Sequence, residues 1–293
     1  MAFDPERFAR ELIYTSSAPA SRVLVELEQV RAFDRAAEEK LARLSAKGMV
    51  SCFVVVGAFG LAIATGVLGR HGPILLPAGL VVLLIGLLVF LGLWSSAARL
   101  DVEDARYELA EGVLKLLAVD LGAEEELSIK LDLEPRFATH KQTRRETHRG
   151  RYRVQFSSDP WFMLSGRFLD GTRFRLGVNQ DTELRTHAKG HKVKEKVAIT
   201  VTLDLRPKAK RYAHLAELGT DVEQALQFPE GVAVKRCAVA EGTLSLRVGL
   251  KRKSFNKQQV SGSDATVAEL VPLMFLNLYQ VLNLSRRMTR REG

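Results

Sequence analysis

The chain has 293 residues, 46% of them apolar, a composition ordinary for a folded protein and a length sufficient for two compact units. Its net charge is +9, yet residues 134–293 alone hold thirty basic against sixteen acidic side chains, a net of +14. Two cysteines, Cys52 and Cys237, and no CxxC pair exclude a disulfide framework and suit a reducing compartment.

Residues 1–47 read as a helical segment with balanced charge, eight basic against eight acidic. Val23, Leu27, Val30, Ala37, Leu41 and Leu44 recur at helical spacing, with Asp34 interrupting the seam. The seam suits an amphipathic helix packing on its own chain better than a short coiled coil between protomers. The opening "MAFDPERFARELIY" carries charges where a cleavable signal needs an apolar stretch.

Residues 48–98 read as a two-helix transmembrane hairpin. Met49 to Leu68 is a run of twenty residues without Asp, Glu, Lys, Arg or His, and Pro73 to Ala98 is a second of twenty-six. About twenty apolar residues suffice for a helix to span the ~30 Å hydrocarbon layer, which places the spans at about 49–68 and 74–94. The intervening "GVLGRHGPILLP" breaks both helices at Gly69, Gly72 and Pro73 and keeps Arg70 and His71 in water. Lys40, Arg43, Lys47 and Arg99 flank the pair against Arg70 alone at the tip, so both termini are expected in the cytoplasm, with the first span serving as an uncleaved insertion signal. Within the first span, Ala58, Ala62 and Gly66 recur every four residues, a small-residue face suited to close helix packing within or between chains.

Residues 99–293 read as a cytoplasmic α+β domain. An acidic entry helix over 99–121 opens it, and 100–133 holds three basic against ten acidic residues. "LSIKLDLEP" then alternates as a strand closed by Pro135. Further strands are predicted at 151–156, 161–169, 172–178, 197–205, 232–240 and 243–250, with Asp170-Gly171 and Glu241-Gly242 as hairpin turns. Val197, Ile199, Val201, Leu203 and Leu205 form one face and Thr200, Thr202 and Asp204 the other, so the mainly antiparallel sheet needs a cover on one side. Two helices are expected to supply it: one capped by Thr220 and Glu223, and one from Asp264 onward with Leu270, Val271, Met274, Leu278 and Leu282 on one stripe. Glu269, Asn277, Gln280 and Asn283 make that last helix a poor third span.

No GxSxG, HExxH, Walker or GxGxxG motif occurs, and no ionisable residue lies inside either span. His187 and His191 have metal-pair spacing, but Lys189 and Lys192 beside them would repel a cation, so no metal and no cofactor is assigned. Asp132 and Asp204 read as edge or turn carboxylates. The remaining signal is basic: Arg144, Arg145, Arg149, Arg151, Lys189, Lys192, Lys194 and Lys196 are the anion-binding candidates. Lys192, Lys194 and Lys196 are expected to share one strand face. At an inner leaflet such residues meet anionic lipid headgroups. Nucleic acid is a possible but less favoured partner, because no recognition motif is present and the strand aromatics suit the buried face.

The expectation is therefore a non-enzymatic, membrane-anchored interaction or scaffold protein, self-associating, whose basic domain engages anionic lipid or an acidic partner. The alternatives are an accessory subunit of a larger transport or secretion complex, and an enzyme with an unrecognised site. Arg outnumbers Lys by 28 to 15, which with abundant Ala, Val and Leu points weakly to a bacterial cytoplasmic membrane.

Overall fold

The computed structural model describes residues 3–64, 90–95, 104–148, 152–187, 193–212, 226–240, 242–255, 258–262 and 266–292, with single positions at 88, 100, 215, 218 and 222; side chains are described except at 47–64, 210, 255–262 and 289–292. The chain divides into two compact units, Met1–Glu28 with Glu103–Gly293, and Gln29–Val102.

The first unit is built on a nine-stranded antiparallel sheet. Its strands are β1 (Ile13–Pro19), β2 (Glu126–Asp132), β3 (Gln142–His148), β4 (Tyr152–Arg167), β5 (Arg173–His187), β6 (Val193–Arg206), β7 (Val232–Ala240), β8 (Thr243–Phe255) and β9 (Gln258–Gly262). The order is β1-β2-β4-β5-β6-β8-β7, with β3 on the free half of β4's edge and β9 on β8. The helices are α1 (Pro5–Glu11), α2 (Ala20–Ala64), α3 (Asp104–Leu117) and α4 (Val267–Glu292). The expected antiparallel sheet with helices is thus what the chain forms.

Period-two alternation decides which face is covered. Ile129, Leu164, Leu176, Leu203 and Leu246 stand directly opposite one another across five adjacent strands, and all are at most 2% exposed. Leu131, Phe162, Val178, Val201 and Val248 form a second such row. On this side lie the buried stripes of α3 (Leu109, Val113, Leu114) and α4 (Leu270, Val271, Met274, Leu278, Leu282). Phe168, Phe174 and Phe275 meet at 4.6–6.0 Å, so the strand aromatics do fill the covered side. Gly171 (φ 84°) and Gly242 (φ 71°) take the left-handed conformations that their hairpin turns require.

Helix α4 begins with reciprocal capping: Thr266 N–H donates to Glu269 Oε2 at 2.8 Å, and Glu269 N–H to Thr266 Oγ1 at 3.3 Å. Among the described residues, Val267–Met288 is the one helix long and apolar enough to cross a membrane, with mean hydropathy 1.4. Its buried stripe and Asn277, which accepts from Gln227 N–H at 2.9 Å, fit the expected sheet cover.

Several expectations are corrected. The N-terminal segment is not helical throughout: Ile13–Pro19 is a strand paired along its length with Glu126–Asp132. Its inward residues are Tyr14, Ser16 and Ala18, and Tyr14 Oη donates to the buried Glu26 of α2 at 2.8 Å. Burial and that partner push the Tyr14 hydroxyl far above its ordinary range. A further departure is strand length, because β4 runs through Pro160 without a break. A one-residue bulge between Asp159 and Phe162 absorbs the proline and moves the inward set from Ser157 and Asp159 to Phe162 and Leu164.

That bulge brings Asp159 into a buried ion network. Arg106 of α3 donates to Asp159 Oδ2 at 2.7 Å and to the Asp132 carbonyl at 2.8 Å. Lys141 reaches Asp132 Oδ1 at 2.7 Å and Asp159 Oδ1 at 2.8 Å, and the Trp161 ring lies 5.3 Å from the Arg106 guanidinium. All four charged residues are at most 6% exposed. Asp132 is therefore an interior ion-pair partner, not the edge carboxylate expected.

In the second unit, α2 continues to Ala64, so the first apolar run is helical that far, and residues 90–95 are helical with Phe90 and Trp94 rings 6.0 Å apart. The expected hairpin tip, Gly66, most of the second span and the side chains of Ala58 and Ala62 lie outside the described residues.

Breaking a buried ion pair leaves an uncompensated charge, which costs about 3–5 kcal/mol. Asp159→Ala should therefore lower the denaturation midpoint of the purified chain by an amount equivalent to that range. A loss below about 1 kcal/mol, the scale of exposed pairs, would show that the network is not what ties α3 to the sheet.

Candidate functional site

The covered side of the sheet is apolar, so its other side carries the polar halves of the same strands. Cross-strand register lays these out in rows. One row reads Met163, Gly177, Thr202 and Arg247, and the next reads Ser165, Arg175, Asp204 and Ser245. A third brings Arg167 of β4 directly opposite Arg173 of β5, and Arg173 directly opposite Arg206 of β6.

Like charges directly opposite one another destabilise a sheet, so three arginines in one row stand out. Among the described residues the row has a single ion-pairing carboxylate. Glu125, in the loop before β2, takes Arg167 Nε and Nη2 in a two-pronged contact, both at 2.9 Å. The Arg167 hydrogen bond, aided by the charges of Arg167 and Arg173, holds the Glu125 carboxyl below its ordinary range. Asp170, the nearest acid in sequence, is engaged by its own turn, accepting from Thr172 N–H at 2.8 Å and Thr172 Oγ1 at 3.0 Å. A shallow depression of about 730 Å³ runs over this face, lined in part by Ser128, Ser165, Arg173, Arg175, Asp204 and Arg206.

The sequence-predicted cations lie at the opposite end of the strands. Arg173 and Glu183 are ten residues apart on β5, roughly 33 Å at ~3.3 Å per residue. There a different row runs Arg144, Phe156, Glu183, Lys196 and Lys253. Arg144 pairs with Glu146 and lies over the Phe156 ring, while Arg145 Nε donates to Gln142 at 2.6 Å. Lys194 and Lys196 are both exposed on one strand face, as expected. Lys196, however, contacts Glu183 at 3.1 Å, and Arg185 takes the same carboxylate. Arg149, Arg151, Lys189 and Lys192 lie outside the described residues. The structure therefore brings Arg144 and Lys196 into one row but sets Glu183 between them. Arg167, Arg173 and Arg206 are cations that the sequence reading did not single out.

Two other groupings are chemically weaker. Asp132, Glu134 and His140 place ligand atoms within 4.8 Å of one another, but the Lys141 ammonium already occupies Asp132 and would repel a cation. A cleft of about 640 Å³ between α3 and α4 is lined mainly by apolar groups, among them Leu109, Val113, Leu116, Val197, Ile199 and Pro272.

The state of Glu183 gives a local test. Burial pushes its carboxyl up, but hydrogen bonds and charge from Arg185 and Lys196 outweigh this and hold it below the ordinary range. Its contribution to stability is thus present above the ordinary carboxylate range and lost as pH falls through the depressed value. Lys196→Met should raise the Glu183 midpoint in a carbon-13 NMR titration. An unchanged midpoint would mean that Lys196 is free in solution and available to an external anion.

Scans against protein-family models, the curated proteins and the solved structures return no match for this chain.

Proposed function

We propose that this chain is a membrane-anchored, non-enzymatic interaction module that engages anionic lipid headgroups through the open face of its sheet. The observation that carries the reading is the Arg167–Arg173–Arg206 row, in which one paired carboxylate faces three cations. Anionic surface supplies the missing negative charge, and each cation near such a surface gains about 1 kcal/mol. Aromatic residues at the row's register, Phe168 and Phe174, point to the covered side, so among the described residues the arginine row itself has no ring platform of the kind that stacks nucleic-acid bases. The anchoring part of the reading draws on the two uncharged runs and on Leu91 and Leu93, each about half exposed beside Phe90 and Trp94. Exposed apolar side chains flanked by a Trp suit a bilayer boundary. Both termini are assigned to the cytoplasmic side of a bacterial inner membrane, and self-association is assigned to Ala58, Ala62 and Gly66.

The full chain, reconstituted in phosphatidylcholine nanodiscs, should capture phosphatidylglycerol-rich vesicles and not phosphatidylcholine vesicles. Capture should weaken as ionic strength rises past about 0.1 M, where screening acts within ~10 Å. Equal capture of both vesicles, or tight single-stranded RNA binding in place of vesicles, contradicts the reading. For topology, a cysteine replacing Arg70 should react with an impermeant thiol reagent in intact cells while Cys237 stays unlabelled. Labelling of Cys237 before permeabilisation would reverse the assigned orientation.

A further inference from the structure

The arginine row has a definable centre. Arg173 stands between Arg167 and Arg206, and with strands ~4.8 Å apart the three side chains rise from a strip roughly 10 Å wide. Beside it, the β4–β5 turn passes through Gly171 at φ 84°, and the side chain of Lys208 lies directly over that glycine. A Cβ at position 171 would meet the flexible end of the Lys208 side chain, which would have to shift, and the left-handed φ is the stricter demand for glycine there. Arg167, Gly171, Arg173, Arg206, Pro207 and Lys208 together line a depression of about 350 Å³. Four cations therefore border one small concavity. Glu125 fixes Arg167 from the loop side, and among the described residues no carboxylate pairs with Arg173, Arg206 or Lys208.

We propose that Arg167, Arg173, Arg206 and Lys208 form a discrete binding site for a phosphoryl group. The proposal deepens the reading of the open face as anion-engaging and names the chemistry it recognises. A carboxylate offers two oxygens along one edge, which a single guanidinium satisfies. A phosphoryl group offers three or more oxygens in tetrahedral directions, which several guanidinium groups can engage at once while an ammonium acts as a point charge. The bound anion also removes the cost of placing like charges in register. A lipid headgroup and a free phosphate compound share this chemistry, and the experiment separates them.

The experiment uses the full chain in phosphatidylcholine nanodiscs, with inorganic pyrophosphate followed by isothermal titration calorimetry and, in parallel, nanodiscs doped with phosphatidic acid. Pyrophosphate should bind and raise the thermal midpoint of the wild type. Arg173→Gln combined with Arg206→Gln should weaken that binding at least about tenfold, the equivalent of ~1.4 kcal/mol. In phosphate-free buffer the same double variant should melt no lower than wild type, because it relieves like-charge repulsion. Lys196→Glu, at the far end of the strands, should leave pyrophosphate binding unchanged. Loss of the pyrophosphate effect on doping with phosphatidic acid identifies a lipid headgroup as an occupant; its persistence identifies a soluble phosphate compound. Failure of the wild type to bind pyrophosphate, equal binding by the double variant, or equal loss from Lys196→Glu would overturn the site. If anionic vesicles are still captured, the broader reading survives that failure. If vesicles are ignored but pyrophosphate binds at the row, the lipid reading fails and the site stands.

Discussion

The commitment of one sheet face to the interior governs the rest of this structure. Leucine, valine and phenylalanine on alternate positions of β2, β4, β5, β6 and β8 stack in register and must be covered, and α3 and α4 cover that side. A polypeptide with period-two side chains then has no choice about the opposite face. Whatever occupies the alternate positions is presented to solvent, row by row, in the same register that aligns the core. Arg167, Arg173 and Arg206 share a row because Leu164, Leu176 and Leu203 share one. The apolar core thereby enforces an electrostatic arrangement that three free side chains would avoid.

The buried ion network shows how the covered side is locked in place. Arg106 comes from a helix, Asp132 from the end of β2, Lys141 from the turn before β3, and Asp159 from the bulge in β4. Two positive and two negative groups balance, and the Asp132 carbonyl and side chain are both used. Such a network adds little net stability compared with apolar packing, but it penalises any arrangement that separates its members. It therefore fixes the bulge, and the bulge fixes the register in which β4 continues to Arg167.

Much of this fold was legible in the residues. The alternation from Val197 to Leu205 named both faces of β6, Asp170-Gly171 and Glu241-Gly242 marked real hairpins, and the apolar stripe from Leu270 to Leu282 found the covering helix. What escaped notice has physical reasons. β1 buries Tyr14, Ser16 and Ala18, a set with no strong apolar period, and its tyrosine hydroxyl is satisfied by Glu26. β3, "QTRRETH", contains no apolar residue and exists through backbone pairing to β4, so it read as a charge run. The arginine row was the harder case. Runs of lysine and arginine draw the eye along the sequence, whereas this row is assembled across it, from residues 167, 173 and 206. The first half needed the turn length: a two-residue turn at Asp170-Gly171 would set Arg167 opposite Phe174, whereas the three-residue connection that forms, centred on Asp170, sets it opposite Arg173. The second half needed the β5–β6 register. Of the clustered cations that did stand out, Arg144 has Glu146 two residues along its own strand, and Lys196 has Glu183 across the strand, a partner that only the pairing reveals.

The proposed anion engagement is localised to the row made by register and not to the runs made by sequence. Hydrogen–deuterium exchange on the full chain in phosphatidylcholine nanodiscs, with and without phosphatidylglycerol in the bilayer, tests this most directly. Added protection should be confined to peptides covering 165–177 and 203–210, with 142–148 and 193–197 unchanged. Protection centred on 142–148 and 193–197, with none at the arginine row, would contradict it.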